Sequence, residues 1–217
     1  MIFDILTGGF SLAETLIILV AFLIAIVVAI SFHECAHAFA ALKAGDPSAK
    51  NAGRLTLNPV KHFEPLGLVC FLLAGIGWAK PVPVNAFNYR NFKRGNFWVS
   101  ISGVLTNIFL GFVFSLLFYV TYRADSNSIF MFGLEWLFKL CMVLNLSLAV
   151  FNLLPIPPLD GYNLLVSFTK PDNRFMRFMR ERGMIVLLLV VVLGGSLMMF
   201  IRDALVTGFM QFWGLMF

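Results

Sequence analysis

Two histidines and a glutamate share one turn of an otherwise apolar stretch, Ser31-Phe32-His33-Glu34-Cys35-Ala36-His37-Ala38. Residues four apart in a helix stack on one face. His33 and His37 can therefore aim their imidazoles at a common point and hold one zinc ion, each at about 2.0–2.1 Å. Glu34 is rotated from His33 by about 100°. From there it can reach water at the metal without being a ligand, and act as general base. Zinc lowers the pKa of such a water to about 7, which supplies hydroxide at neutral pH. The same H-E-x-x-H spacing also occurs by chance on polar faces of soluble helices. Here the surroundings are alanine, valine, isoleucine and phenylalanine, and ionisable groups inside an apolar span mark function by default.

A catalytic zinc usually takes three protein ligands and a water. His62 completes the set of three histidines, but it stands in a loop between Pro59 and Pro65. Most carboxylates outside the motif fall in loops or at span ends. Asp160 stands apart, in Asn152-Leu153-Leu154-Pro155-Ile156-Pro157-Pro158-Leu159-Asp160-Gly161. Three prolines end the preceding helix, freeing backbone beside the bundle and turning Asp160 back toward the metal. Without a metal, the same residues read as a proline-marked helix end with a solvated Asp-Gly turn.

These residues must be carried by membrane spans. The 217 residues are 60% hydrophobic and only 12% charged, with 25 phenylalanines. Soluble domains are about 45–50% apolar and about 25% charged, so an ordinary soluble domain and a disordered chain are both excluded. The expected fold is an all-α polytopic membrane protein, one domain over 1–217. Spans of about 20 apolar residues are expected at about 12–44, 97–122, 133–154 and 183–201. The stretch 204–217 is too short to cross, and either lies in the interface or packs on the bundle. Residues 66–84 are apolar but short, hold Gly67, Gly75 and Gly77, and are flanked by prolines. That suits a re-entrant or hairpin segment walling a cavity.

Most of the 16 basic residues fall between Lys43 and Arg94 or between Lys170 and Arg182. An even number of spans separates these regions, so they share a side. The positive-inside rule makes that side cytoplasmic and the N-terminus external. The same rule accounts for the net charge of +5 without nucleic-acid binding. Met1–Phe10 carry Asp4 and no Lys or Arg, unlike a cleaved signal peptide, so retention of the N-terminus is expected. Cys35, Cys70 and Cys141 form no framework, so no disulfide is expected.

Taken together, these segments resemble the site-2 protease family of intramembrane zinc metalloproteases, in its small bacterial type without a PDZ domain. His33–His37 matches the first zinc motif and Asn152–Gly161 the second. Gly53-Arg54-Leu55-Thr56-Leu57-Asn58-Pro59 and Gly77-Trp78-Ala79-Lys80-Pro81-Val82-Pro83-Val84 resemble the loops between them. The resemblance implies His33, His37 and Asp160 as ligands of one zinc ion and Glu34 as base. It implies Asn152 as a polar group near the scissile carbonyl. Residues 66–84, with Gly75, Gly77 and Trp78, would line the substrate path, and Asn107 would join them. Relatives often carry Ala-Gly-Pro in the middle core helix where this chain has Ser102-Gly103-Val104. The implied activity is hydrolysis of a peptide bond within, or at the edge of, a transmembrane segment of a membrane-protein substrate in the bilayer of the cell. A non-catalytic zinc-binding scaffold of the same fold is the alternative, although it needs neither Glu34 nor Asn152. A transporter would be expected to show paired repeats with broken helices, and none is visible in the sequence.

Overall fold

The computed structural model describes residues 9–64, 66–67, 80–124, 128–169 and 173–217. Helix α1 spans Leu12–Ala44. It opens on a reciprocal cap in which the Glu14 amide donates to Ser11 Oγ (3.3 Å) and the Ser11 amide donates to Glu14 Oε2 (2.8 Å). It ends at Gly45, whose φ of 113° lies in the left-handed region that glycine enters without cost. A short helix, α2 (Ser48–Asn51), follows. Helix α3 covers Phe92–Arg123 and α4 covers Ile129–Asn152. After a proline-rich turn come α5 (Asp160–Val166), α6 (Arg174–Leu193) and α7 (Gly195–Met216).

Helices α1, α3 and α4 are each long and apolar enough to cross a membrane, and they pack on one another. Ile18, Ala21, Phe22, Ala25 and Ile26 of α1 meet Leu140 and Cys141 of α4 in the central core. Those α1 positions follow the i, i+3, i+4, i+7 repeat of one helix face. Yet Leu12, Leu16, Val20, Leu23 and Ile24 on the other faces are apolar and exposed. A helix apolar all round, with its smaller residues turned inward, is built to face lipid on one side and close neighbours on the other. The chain is an all-α polytopic membrane protein.

Helix α1 coincides with the expected first span. Helix α3 begins at Phe92, ahead of 97, and α4 ends at Asn152, just short of 154. The expected span at 183–201 falls across two helices that together are apolar and long enough for one broken span. The helix breaks at Gly194, and α6 and α7 are bent by 69°, so the apolar run straddles a bend between two longer helices. Residues 204–217 belong to α7, which packs on the bundle: Trp213 donates from Nε1 to Ser115 Oγ at 2.8 Å and lies against Phe112 and Phe212. The expected re-entrant segment falls largely outside the described residues, as do Gly75, Gly77, Trp78 and Cys70. Cys35 and Cys141 are free thiols.

Between α1 and α3 the chain is strapped to the end of α1 by Asp46, which is fully buried. Its carboxylate accepts from the Asn85 amide (2.6 Å), Asn88 Nδ2 (2.8 Å), Ser48 Oγ (2.6 Å) and the Ser48 amide (3.1 Å). Burial pushes the carboxyl pKa up, but these donors outweigh it and hold Asp46 below its ordinary value. The Arg90 amide donates to the Ala44 carbonyl beside it (2.9 Å). Asp46→Ala should therefore destabilise the fold by about 2–4 kcal/mol, since several donors lose one acceptor together. Because the folded pKa is depressed, the stabilisation is complete above the unfolded value of about 3.9 and is lost as pH falls through the lower folded value. Thermal unfolding of wild type and variant across pH 3–7 (about that range) checks both the loss and its convergence at low pH.

Candidate metal centre

His33 and His37 lie on the α1 face that meets α3, and both are buried. Asp160 is the first residue of α5. It is brought there by the turn after α4: the Leu154 amide donates to Phe151 O (3.2 Å), the Ile156 amide to Leu154 O (2.8 Å) and the Leu159 amide to Ile156 O (2.9 Å). The Pro157–Pro158 peptide bond is cis. Gly161 makes this fold-back possible, because any Cβ there would run into the Leu153 and Leu154 carbonyls. From the other side, Asn96 of α3 latches α5 by donating from Nδ2 to Asn163 O (2.6 Å) and Ser167 Oγ (2.9 Å).

The result is a triangle of three ligand atoms. His33 Nε2 and His37 Nε2 are 3.0 Å apart. Asp160 Oδ2 is 3.2 Å from the first and 3.1 Å from the second. Tetrahedral ligands bound at about 2.0–2.1 Å stand about 3.3 Å from one another, so these spacings suit one small divalent ion. The outer nitrogens show which lone pairs face inward. His33 Nδ1 is 2.5 Å from Asn107 Oδ1, and His37 Nδ1 is 2.7 Å from the Val99 carbonyl. Both partners accept only, so both Nδ1 atoms carry a proton, which leaves Nε2 of each ring as the atom able to bind a cation. Two imidazole lone pairs and a carboxylate oxygen with no other hydrogen-bond partner then face one point. A cation there offsets their mutual repulsion. Among the described residues His33, His37 and Asp160 form the one group of this kind.

The acceptor role of Asn107 is itself imposed. Its Nδ2 donates to Ala29 O (3.0 Å) and to Asn145 Oδ1 (2.8 Å), and Asn145 Nδ2 donates to Cys141 O (2.7 Å). The direction of each amide follows from the next, ending on the His33 proton. Asn107 and Asn145 are fully buried. Asn107, expected on the substrate path, is hydrogen-bonded to Ala29 O, Asn145 and His33, and so fixes the direction of the His33 ring. Glu34 is half-buried, one residue from His33. Asn152 ends α4 and donates from Nδ2 to Leu148 O (3.0 Å). His62 is fully buried in its loop, with Nε2 2.7 Å from Thr56 O, and is not part of the triangle.

Sequence reasoning missed three supports. Asn145 and the Val99 carbonyl left no motif. Gly103 was visible only as the glycine retained between Ser102 and Val104, where the familiar pattern is otherwise lost. Its α carbon faces the imidazoles so closely that a Cβ would lie 2.5 Å from His33 Cε1 and 2.6 Å from His37 Nε2.

Residues 120–194 match the pattern of Peptidase family M50. That segment holds Asn152 and Asp160. The "Putative zinc metalloprotease YwhC" of Bacillus subtilis is 41% identical over 172 residues, 78% of each chain. The "Putative zinc metalloprotease Rip2" of Mycolicibacterium smegmatis is 30% identical over 74% of this chain and 62% of its own length. The "Putative zinc metalloprotease MJ0611" of Methanocaldococcus jannaschii is 30% identical over 70% of this chain and 72% of its own. No solved structure matches the chain at comparable significance.

Elemental analysis of the purified chain should show zinc lost in His33→Ala and His37→Ala and reduced in Asp160→Asn; unchanged zinc in Asp160→Asn points to another ligand. Gly103→Ala should also lose zinc, because its methyl has no place but the imidazoles. Asn107→Ala should weaken zinc binding by about 10–100-fold in competition with a chelator, as the outer partners of metal-bound histidines generally do.

Proposed function

Since the chain belongs to peptidase family M50, we propose that it is an intramembrane zinc metalloprotease that cleaves a peptide bond within, or at the edge of, a transmembrane segment of another membrane protein. The observation that carries this reading is the convergence of His33, His37 and Asp160 on one point beside Glu34, within the helical bundle. The zinc that gives these relatives their names fits the donor set: two imidazoles that each turn Nε2 inward and a carboxylate, with Gly103 leaving room. His33, His37 and Asp160 would hold it. When bound, zinc polarises the scissile carbonyl and makes water acidic enough to ionise near neutral pH.

The remaining work falls to the chain's own side chains. Glu34 takes one proton from the attacking water and delivers it to the amide nitrogen as the C–N bond breaks. Hydroxyl ends on the new carboxyl group and hydrogen on the new amine. Asn152 uses one amide N–H on Leu148 O, which leaves its second N–H for the oxygen that gains charge. The substrate must unwind locally, because a helical backbone in lipid already has every carbonyl occupied. The basic loops support a multi-pass protein of the cell membrane with its N-terminus outside and the catalytic end toward the cytoplasm.

Glu34→Gln should keep its zinc and lose turnover by about 10²–10⁴-fold against a reconstituted transmembrane substrate. Near-normal turnover in Glu34→Gln removes the base assignment. Zinc-loaded wild type that cleaves none of the membrane proteins accumulating with Glu34→Gln in native membranes favours the scaffold alternative.

A further inference from the structure

A second feature lies on the outer side of the α1–α3 contact. The described residues there line an open groove of about 640 Å³. Its lining includes the small residues Ala36, Ala40 and Ala44 of α1 and Gly95, Ser102 and Thr106 of α3. Phe39, Trp98 and Leu105 stand along its edges, 53%, 58% and 48% exposed. Lys43, Arg90 and Arg94 gather at one end, and no carboxylate is among the lining residues. The Arg90 backbone is anchored, its amide bonded to Ala44 O at 2.9 Å within the strap that Asp46 closes. Lys43 Nζ sits 5.4 Å from the centre of the Phe39 ring.

The groove's dimensions narrow its occupant. From Asn91 to Thr106 the α3 wall rises about 22 Å, more than the roughly 15 Å of hydrocarbon in one leaflet. An extended hydrocarbon chain can lie along that length, beside Phe39, Trp98 and Leu105. The cations stand where α1 ends and α3 begins, at the level of the headgroups. Basic pockets between helices at that depth suit anionic headgroups. We propose that this groove is a binding site for one anionic phospholipid, with its phosphate at Lys43, Arg90 and Arg94 and one acyl chain lying past Trp98 toward Thr106. The inference is independent of proteolysis, because occupancy can be read without turnover.

Trp98 provides the probe. The purified full-length chain, stripped of lipid in neutral detergent, is titrated with phosphatidylglycerol bearing a brominated acyl chain, and with phosphatidylcholine bearing the same chain. Bromine quenches only a tryptophan in contact, and Trp98→Phe assigns the signal. Phosphatidylglycerol should bind about tenfold to 100-fold more tightly, given about 1 kcal/mol per cation near an anionic surface. The triple variant Lys43→Gln, Arg90→Gln, Arg94→Gln should lower that preference to parity, and Arg94→Gln alone should lower it severalfold. Zinc content and thermal unfolding equal to wild type show that the variants are folded. Millimolar inorganic phosphate should not displace the lipid. The proposal is overturned by equal quenching from the two lipids, or by a preference that survives the triple variant. It is also overturned if phosphate alone releases the lipid, which makes the site a simple anion patch. Displacement by an acidic transmembrane peptide at lower concentration than phosphatidylglycerol overturns it too, and makes the groove a polypeptide path.

Discussion

Three lone pairs pointing at one place inside a membrane protein is a costly arrangement, and the structure around it follows from that cost. In water each of these groups would be solvated. In the bundle the two histidines are buried, so the proton on each imidazole must be directed outward by a fixed acceptor if both inner nitrogens are to stay free for a cation. His37 is served by the Val99 carbonyl and His33 by Asn107. The first acceptor is backbone and has only one direction. The second is an amide that could flip, and a flip would present N–H to N–H. Asn145 and Ala29 prevent it by taking the donor end. The polar chain from Cys141 O to His33 runs through three helices and has no loose end, which is the condition under which a buried polar network stabilises rather than costs.

Close approach of the helices is the second requirement. Imidazoles on α1 can be reached by acceptors on α3 only where α3 has no bulk of its own. Gly103 supplies that gap opposite the histidines. Gly111 does the same opposite Leu146 of α4, where a Cβ would lie 2.6 Å from Leu146 Cδ2. Without a hydrophobic driving force between helices in lipid, such contacts hold a bundle together by packing and internal hydrogen bonds. The same small residues that assemble the fold therefore fix the ligand spacing, and stability cannot be separated cleanly from metal affinity in this part of α3.

Much of this was legible in the chain because the chemistry is local. His33, Glu34 and His37 are within one turn, and helical spacing alone puts the two imidazoles on one face. Asp160 was legible because prolines before it and Gly161 after it mark a backbone that must fold back. The three long helices were legible from apolar length. What the chain leaves less legible depends on direction. Hydropathy over 183–201 averages across a bend, and the Gly194-Gly195 pair that marks it is a local signal that a window smooths away. Asn107 was read as substrate-facing because its sequence position says only that it is polar within a span. The face it turns is set by how α3 rotates against α1 and α4. Asn145 and the Val99 carbonyl gave no signal, since an asparagine or a peptide group acquires its role here only from a partner on another helix.

The rotation of α3 can be followed along a single line. Six of its eight buried positions, Gly95, Val99, Gly103, Asn107, Gly111 and Ser115, are each four residues apart, with Ser100 and Val104 beside the row. In a helix of 3.6 residues per turn, every such step drifts by about 40°, so a row of i+4 positions winds slowly around the axis. The partners change in that order. Gly95 faces Tyr89 of the strap, where a Cβ would lie 2.7 Å from the ring. Val99, Gly103 and Asn107 face the α1 histidines. Gly111 has turned to α4, and Ser115 has turned far enough to accept from Trp213 of α7. Each position is small, or uses a polar atom to meet its neighbour, and each neighbour is a different element. One helix thereby sets the angular order of the strap, the metal-bearing helix, α4 and α7. The metal centre occupies the stretch of that row where two consecutive steps face the same partner, which is the length needed to serve two histidines one turn apart.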